Sequence, residues 1–185
     1  MSFTIAMALS LLFLSLLDPT IARDPFSSKA ASEPSKILKD ACNHTEYYDF
    51  CVNTISLDPS SRTADLVGLV GIAVKFSVDN TTSTSNYVQK LWRESWNQTN
   101  LHMVLDSCND DYISALGDLQ NTADEFYVHK DYTGAVEIMG KCMLMPMSCE
   151  DANRSLHMSL SHLSDINMYL DKLLHVGLAL LQLLT

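Results

Sequence analysis

Residues 101–126 read LHMVLDSCNDDYISALGDLQNTADEF. Leu101, Val104, Leu105, Cys108, Tyr112, Ala115, Leu116, Leu119, Ala123 and Phe126 recur at steps of three and four, the spacing that lines one face of an α-helix. A helix this long, apolar along one stripe only, must lay that stripe against other elements, and the rest of the chain offers helical partners rather than strands. Cys108 falls on the stripe, so a cross-link made there lies inside the packing.

Toward the C-terminus, Lys130-Asp131-Tyr132-Thr133-Gly134 reads as a turn, and helix resumes over Ala135–Leu144 until Pro146 breaks it. Residues 148–160 read as a Ser-rich connection. Ile166, Leu170, Leu173, Leu174, Gly177, Leu180, Leu181 and Leu184 then mark a terminal helix with a wide apolar face. Toward the N-terminus, Tyr87, Val88, Leu91 and Trp92 place a helix over about 84–95. A polar break is expected at 80–85, preceded by a helix on Leu66, Leu69, Val70, Ala73, Val74 and Phe76 that starts near Thr63. Asp58-Pro59-Ser60-Ser61 separates this from two short helical segments, 35–41 and 46–57. The expected architecture is all-α: an antiparallel four-helix bundle over 63–185 fronted by a helical hairpin over 36–57, together one domain over 36–185.

The run from Ile5 to Leu17 is apolar and too short for a comfortable membrane span, and Thr20-Ile21-Ala22 supplies small residues for cleavage. Residues 1–22 are therefore expected to be a signal peptide, and 23–35 a polar lead-in. Secretion agrees with the Asn-x-Ser/Thr sequons at Asn43, Asn80, Asn97 and Asn153, candidate glycosylation sites. The net charge of −10 argues against nucleic acid and anionic membrane surfaces, whose phosphates attract Lys and Arg. The C-terminal LLHVGLALLQLL is interrupted by His175 and Gln182 and reads as a buried bundle helix rather than an anchor.

In an oxidising compartment the five cysteines should mostly pair, leaving one over. Closure of Cys42 with Cys51 staples the two short helices, which cannot bury enough to hold their own shape. Cys108, Cys142 and Cys149 then compete for one long-range bond. The chain must run from Cys108 to the turn near Lys130 and return antiparallel, so the partner lies about as far beyond the turn as Cys108 lies before it. Cys149 fits that distance better than Cys142. The chain-entropy account gives this bond about 4 kcal/mol and the small ring roughly 2.5 to 3 kcal/mol. Cys142, flanked by Met139 and Met143, is expected to be a buried free thiol.

No nucleophile elbow, zinc-binding HExxH or phosphate loop occurs. Asp110 with Asp111, and Asp124 with Glu125, are adjacent residues that point about 100° apart on a helix, which suits a solvated face better than an acid/base dyad. CMLMPMSC, residues 142–149, holds Met143, Met145 and Met147 between two cysteines, a soft set that would suit monovalent copper. A helix does not bring alternate residues to one side, so adaptable packing is the better reading and no metal is assigned. His157 and His162 are badly spaced for a shared face, and His44, His102, His129 and His175 are scattered. Trp92 and Trp96, one turn apart, read as bundle or hairpin packing rather than as a sugar platform.

Several segments taken in order carry a resemblance: YYDFC at 47–51, LDPSSRTADLVGL at 57–69, CNDDYISALGDL at 108–119, KDYTGAVEIM at 130–139, SCEDA at 148–152 and INMYLDKLLHVGLALLQLL at 166–184. Together they resemble the plant invertase and pectin methylesterase inhibitor family, nearest to its invertase inhibitor branch, which includes pollen allergens. The likeness covers about residues 38–184. It implies a four-helix bundle with an N-terminal hairpin and the pairs Cys42–Cys51 and Cys108–Cys149, with Cys142 outside the family pattern. It further implies a secreted inhibitor, apoplastic or vacuolar, that blocks the cleft of an acid invertase or a pectin methylesterase by stoichiometric binding, without cofactor. A non-inhibitory, allergen-like structural role is the further alternative. Cell-wall invertase inhibitors carry a Pro-Lys-Phe tripeptide in a turn that corresponds here to Tyr132-Thr133-Gly134, where the tripeptide is absent. The family's Ser-Pro-Leu-Thr segment before the last helix is replaced by HMSLSHLSD. Lys130, Asp131, Tyr132 and Thr133 are the expected target interface, because they cap the helix pair that the Cys108 bond locks.

Overall fold

The computed structural model describes residues 33–157 and 160–185. The expected signal peptide at 1–22 and most of the lead-in lie outside the described residues. Helix α1 spans Lys36–Cys42 and α2 spans Tyr48–Ile55. A 3-10 turn, Pro59–Arg62, leads into α3, Leu66–Glu94. Then follow α4, Thr99–Asp124, a π-helical turn, Glu125–His129, and α5, Tyr132–Cys142. The chain closes with α6, Met145–Ser155, and α7, Ser161–Gln182.

Residues 34–185 form one compact unit. Helix α4 packs on α3 and on the α5–α6 arm, and α7 packs on α3, α5 and α6, which closes an antiparallel four-helix bundle. The hairpin α1–α2 rests on α3 and α7. Two disulfides brace the fold. Cys42 and Cys51 close the hairpin with Cα atoms 5.7 Å apart, and Cys108 and Cys149 join α4 to α6 at 4.6 Å. Cys142 is buried and free, its Sγ 3.7 Å from the Ala115 carbonyl. Burial pushes this thiol up to about 12, so it stays neutral and unreactive.

The structure corrects the sequence reading in three places. The polar stretch 80–85 does not break a helix but lies inside α3. Ser77, Asn80, Thr82, Ser83 and Thr84 each donate a side-chain hydrogen bond to the carbonyl four residues earlier, at 2.7–2.9 Å, so their polar groups are satisfied by the helix they occupy. Pro146 ends no element; it lies in the first turn of α6, where its missing N–H costs nothing, and most of the expected connection at 148–160 is helical. Trp96 stands 79% exposed in the loop after α3, not in the core, whereas Trp92 stacks on His102 with ring centroids 5.4 Å apart.

Small residues let α3, α5 and α7 approach closely. A Cβ built on Gly177 of α7 would lie 2.7 Å from Met139 Cε and 3.3 Å from the buried Ser77 Oγ. Gly177→Val adds two further carbons at this contact and is expected to destabilise the fold by about 1–3 kcal/mol, checked by urea denaturation, with Gly177→Ala intermediate because the Met139 terminus can move.

Candidate functional site

The π-helical turn ends α4 with an extra residue in its ladder, and the chain then reverses through Lys130, whose φ of 57° lies in the left-handed region. The Lys130 and Asp131 N–H groups both donate to the Glu125 carbonyl, the latter at 3.0 Å. Asp131 caps α5, its Oδ1 accepting from the Gly134 N–H at 2.9 Å. Gly134 leaves room for that cap: a Cβ there would lie 2.6 Å from Asp131 Oδ2, so the carboxylate would have to shift. Beneath the turn, Phe126 is buried and meets the ring of Tyr127 edge-on at 4.9 Å and that of Tyr132 at 5.5 Å. The Tyr127 hydroxyl donates to the Gly71 carbonyl of α3 at 2.6 Å, and half-burial holds this phenol above its ordinary range. Gly71 permits that approach, since a Cβ there would lie 3.3 Å from the Phe126 ring and 3.3 Å from the Tyr127 hydroxyl.

The four expected interface residues are therefore contiguous and held from three sides. Lys130, Asp131 and Thr133 are exposed, and Tyr132 is half-buried. Beside them a groove of about 370 Å³ opens between the start of α3 and the π-helical turn, with Lys75 and Lys130 among its lining and Gly68 and Gly71 in its wall. Val128, 68% exposed, and Leu57, 72% exposed, add apolar surface at the same end of the bundle. Lys75 is paired with Asp79 at 2.6 Å.

A second polar assembly lies inside the bundle next to the Cys108–Cys149 bond. Tyr112 of α4 donates to Asn167 Oδ1 of α7 at 2.6 Å. Asn167 Nδ2 turns to Glu150 Oε2 at 3.3 Å and to Cys149 Sγ at 3.6 Å, while Ser164 donates to Glu150 Oε1 at 3.0 Å. Burial, reinforced by the nearby Asp111 and Glu150 charges, keeps the Tyr112 phenol neutral. Sequence reading placed Tyr112 on the stripe but missed its partner; the available signal was Asn167 interrupting the apolar face of α7. Asp111 accepts a hydrogen bond from Ser148, yet its Oδ2 is buried without a partner. Desolvation foremost, with the Asp110 charge adding, raises the Asp111 pKa despite that hydrogen bond.

The remaining candidates are dispersed. Met145 is buried, Met143 is partly buried and Met147 is exposed. His162 meets Tyr87, and His175 meets Tyr47 and Asp171. Among the described residues no group of three or more His, Cys, Asp or Glu could hold a metal, and no helix is long and apolar enough to cross a membrane. Asn43 and Asn97 lie exposed near helix ends, and Asn80 is half-buried on α3. Asn153 is 4% exposed inside α6, with its Nδ2 between Glu150 and Ser164.

A family model described as plant invertase/pectin methylesterase inhibitor matches residues 36–180. The cell wall / vacuolar inhibitor of fructosidase 2 of Arabidopsis thaliana is 37% identical over 119 residues, 64% of this chain and 66% of that protein, so the match spans just under two thirds of that relative. Pectinesterase inhibitor 28 of Oryza sativa subsp. japonica is 40% identical over 55 residues, 30% of this chain and 24% of that protein. A mutant form of a pectin methylesterase inhibitor from Arabidopsis superposes with a TM-score of 0.71 over 82% of this chain and 99% of its own, at 18% identity, a likeness of fold.

Asp111 generates a pH-dependent outcome. With its folded pKa above the unfolded value of about 3.9, the native state binds the proton more tightly, so this group's penalty is relieved as pH falls through the folded pKa. Asp111→Asn should melt higher than the wild type at pH 7, and the difference should vanish below about pH 4. Thermal melts of both proteins from pH 3.5 to 7 read this out; a difference that grows toward acid pH would contradict it.

Proposed function

The chain belongs to the plant invertase/pectin methylesterase inhibitor family, and from that premise we propose that it is a secreted inhibitor of a plant acid invertase, acting by stoichiometric occlusion of the enzyme's cleft. The observation that carries this reading is the exposed turn Lys130–Thr133, fixed by the Asp131 cap, the Glu125 carbonyl and the Tyr127–Gly71 hydrogen bond. A loop already ordered before docking loses little entropy on binding, which is what a protein inhibitor without turnover requires. Lys130 supplies the chemistry at the tip. Glycoside hydrolysis commonly uses paired carboxylates in its cleft, and a cation that reaches them on a rigid backbone finds complementary charge.

The Arabidopsis relative named for cell wall and vacuole supports an apoplastic or vacuolar site of action and a glycosidase target. The rice relative named as a pectinesterase inhibitor supports a second reading, in which the outer faces of the bundle helices engage a pectin methylesterase. The missing Pro-Lys-Phe tripeptide motivates a third, a relative that inhibits neither enzyme.

Titration of the purified mature protein against a plant acid invertase and a pectin methylesterase, with residual activity read at several pH values, separates the three. The expected result is loss of invertase activity with an equivalence point at one inhibitor per enzyme. Lys130→Ala should weaken inhibition by about tenfold or more, and Lys130→Glu further, without a lower melting temperature, because removal of a lysine from a left-handed position leaves no contact broken. Full activity of both enzymes at excess protein would leave the non-inhibitory reading.

A further inference from the structure

Between α3 and α7 lies an open groove of about 300 Å³ whose lining includes Asn80, Ser83, Tyr87, Asp165, Ile166 and Tyr169. We propose that this groove seats the first sugar ring of a glycan carried on Asn80, so that the carbohydrate packs as part of the α3–α7 seam.

The attachment atom is already oriented. Asn80 begins the sequon Asn80-Thr81-Thr82, and its side-chain amide has two N–H bonds. The amide donates to the Phe76 carbonyl at 2.8 Å, which fixes the side chain and needs only one of the two. Transfer from a lipid-diphosphate-linked oligosaccharide forms the Nδ2–C1 bond, breaks the C1–O bond to the diphosphate, and releases one amide proton and the lipid diphosphate. The second N–H survives that exchange, so the Phe76 hydrogen bond and the glycan are compatible on one nitrogen.

The walls suit a sugar. The volume stands at the lower end of the roughly 300–1,000 Å³ that hold small organic ligands. Tyr87 and Tyr169 present aromatic surface to the C–H face of a pyranose, and each ring is held edge-on by a neighbour: His162 at 5.6 Å and Phe50 at 5.3 Å. Ser83 and Asp165 offer acceptors for hydroxyl and acetamido donors. A carboxylate at the rim disfavours a uronate and favours a neutral ring such as an N-acetylhexosamine. The seat also explains why half-buried aromatic surface stays open between two otherwise well-packed helices.

The test uses the full chain secreted from plant cells, mapped by peptide mass spectrometry and trimmed by an endoglycosidase that leaves one sugar per site. Thr82→Ala removes the sequon while keeping Asn80 and its Phe76 bond. The trimmed wild type is expected to carry one sugar on Asn80 and to melt about 2–4 °C above Thr82→Ala, a shift typical of one good contact in a domain of this size. In a Tyr87→Ala background that difference should collapse. Ser83→Arg, which fills the groove from an exposed position without touching the core, should collapse it too and keeps the test alive if Tyr87→Ala fails to fold. Asn80 recovered without sugar, or a glycan-dependent shift that persists in the variants that fold, would overturn the proposal.

Discussion

The junction of α4, α6 and α7 around Cys108–Cys149 is the constraint on which the remaining structure depends. The return arm is not one long helix but two of 11 residues each, α5 and α6, and helices of that length are marginal on their own in water. The disulfide fastens α6 to α4, and Asn167, bonded to Tyr112 on one side and Glu150 on the other, fastens both to α7. With α6 fixed, α5 is held between a covalent anchor at one end and its Asp131 cap at the other. The exposed turn before α5 inherits its rigidity from that chain of attachments, since its own backbone includes a left-handed lysine that no isolated peptide would favour.

Buried polarity in this junction is stabilising only where its groups are matched. Tyr112, Asn167, Glu150 and Ser164 exchange hydrogen bonds across three helices, so loss of any one strands another in a low-dielectric interior. The assembly has unmatched edges: Asn153 Oδ1 is buried without a partner, and so is one carboxylate oxygen of Asp111. An acidic surrounding relieves the Asp111 mismatch, and the same protonation lowers the negative charge of a strongly acidic chain.

Long periodic stretches were legible in the sequence because burial on one face leaves a three-and-four spacing that needs no knowledge of the partner. That is why α4 and α7, the two cysteine pairs and the hairpin followed from residues alone. The middle of α3 was misread because Thr and Ser favour turns in general, and only the helix context lets them return their hydrogen bonds to the carbonyl four residues back. Pro146 was misread for a related reason: proline marks a boundary, and sequence does not say which side of the boundary is helical. At the candidate site, the turn and its Asp131 were visible as local chemistry. The Tyr127–Gly71 bond spans 56 residues and the Tyr112–Asn167 bond 55, and contacts at such separations leave no periodic trace.

Charge distribution sets how such a scaffold can recognise anything. A chain of net charge −10 repels an acidic partner at long range, but ions shorten that field to about 8 Å at physiological salt, whereas a lysine in contact acts at a few ångströms. Lys75 is neutralised by Asp79, so within the groove at that end of the bundle Lys130 is the cation whose charge is spent on no neighbouring carboxylate among the described residues. Its left-handed backbone ends the π-helical turn and lets the chain reverse into α5, with Lys130 exposed in the lining of that groove. Strain at one residue and an unpaired charge on the same residue are separately unfavourable for the isolated fold. Their coincidence at a turn held by the Asp131 cap and the Tyr127–Gly71 bond makes sense if that turn is completed by a partner rather than by the chain itself.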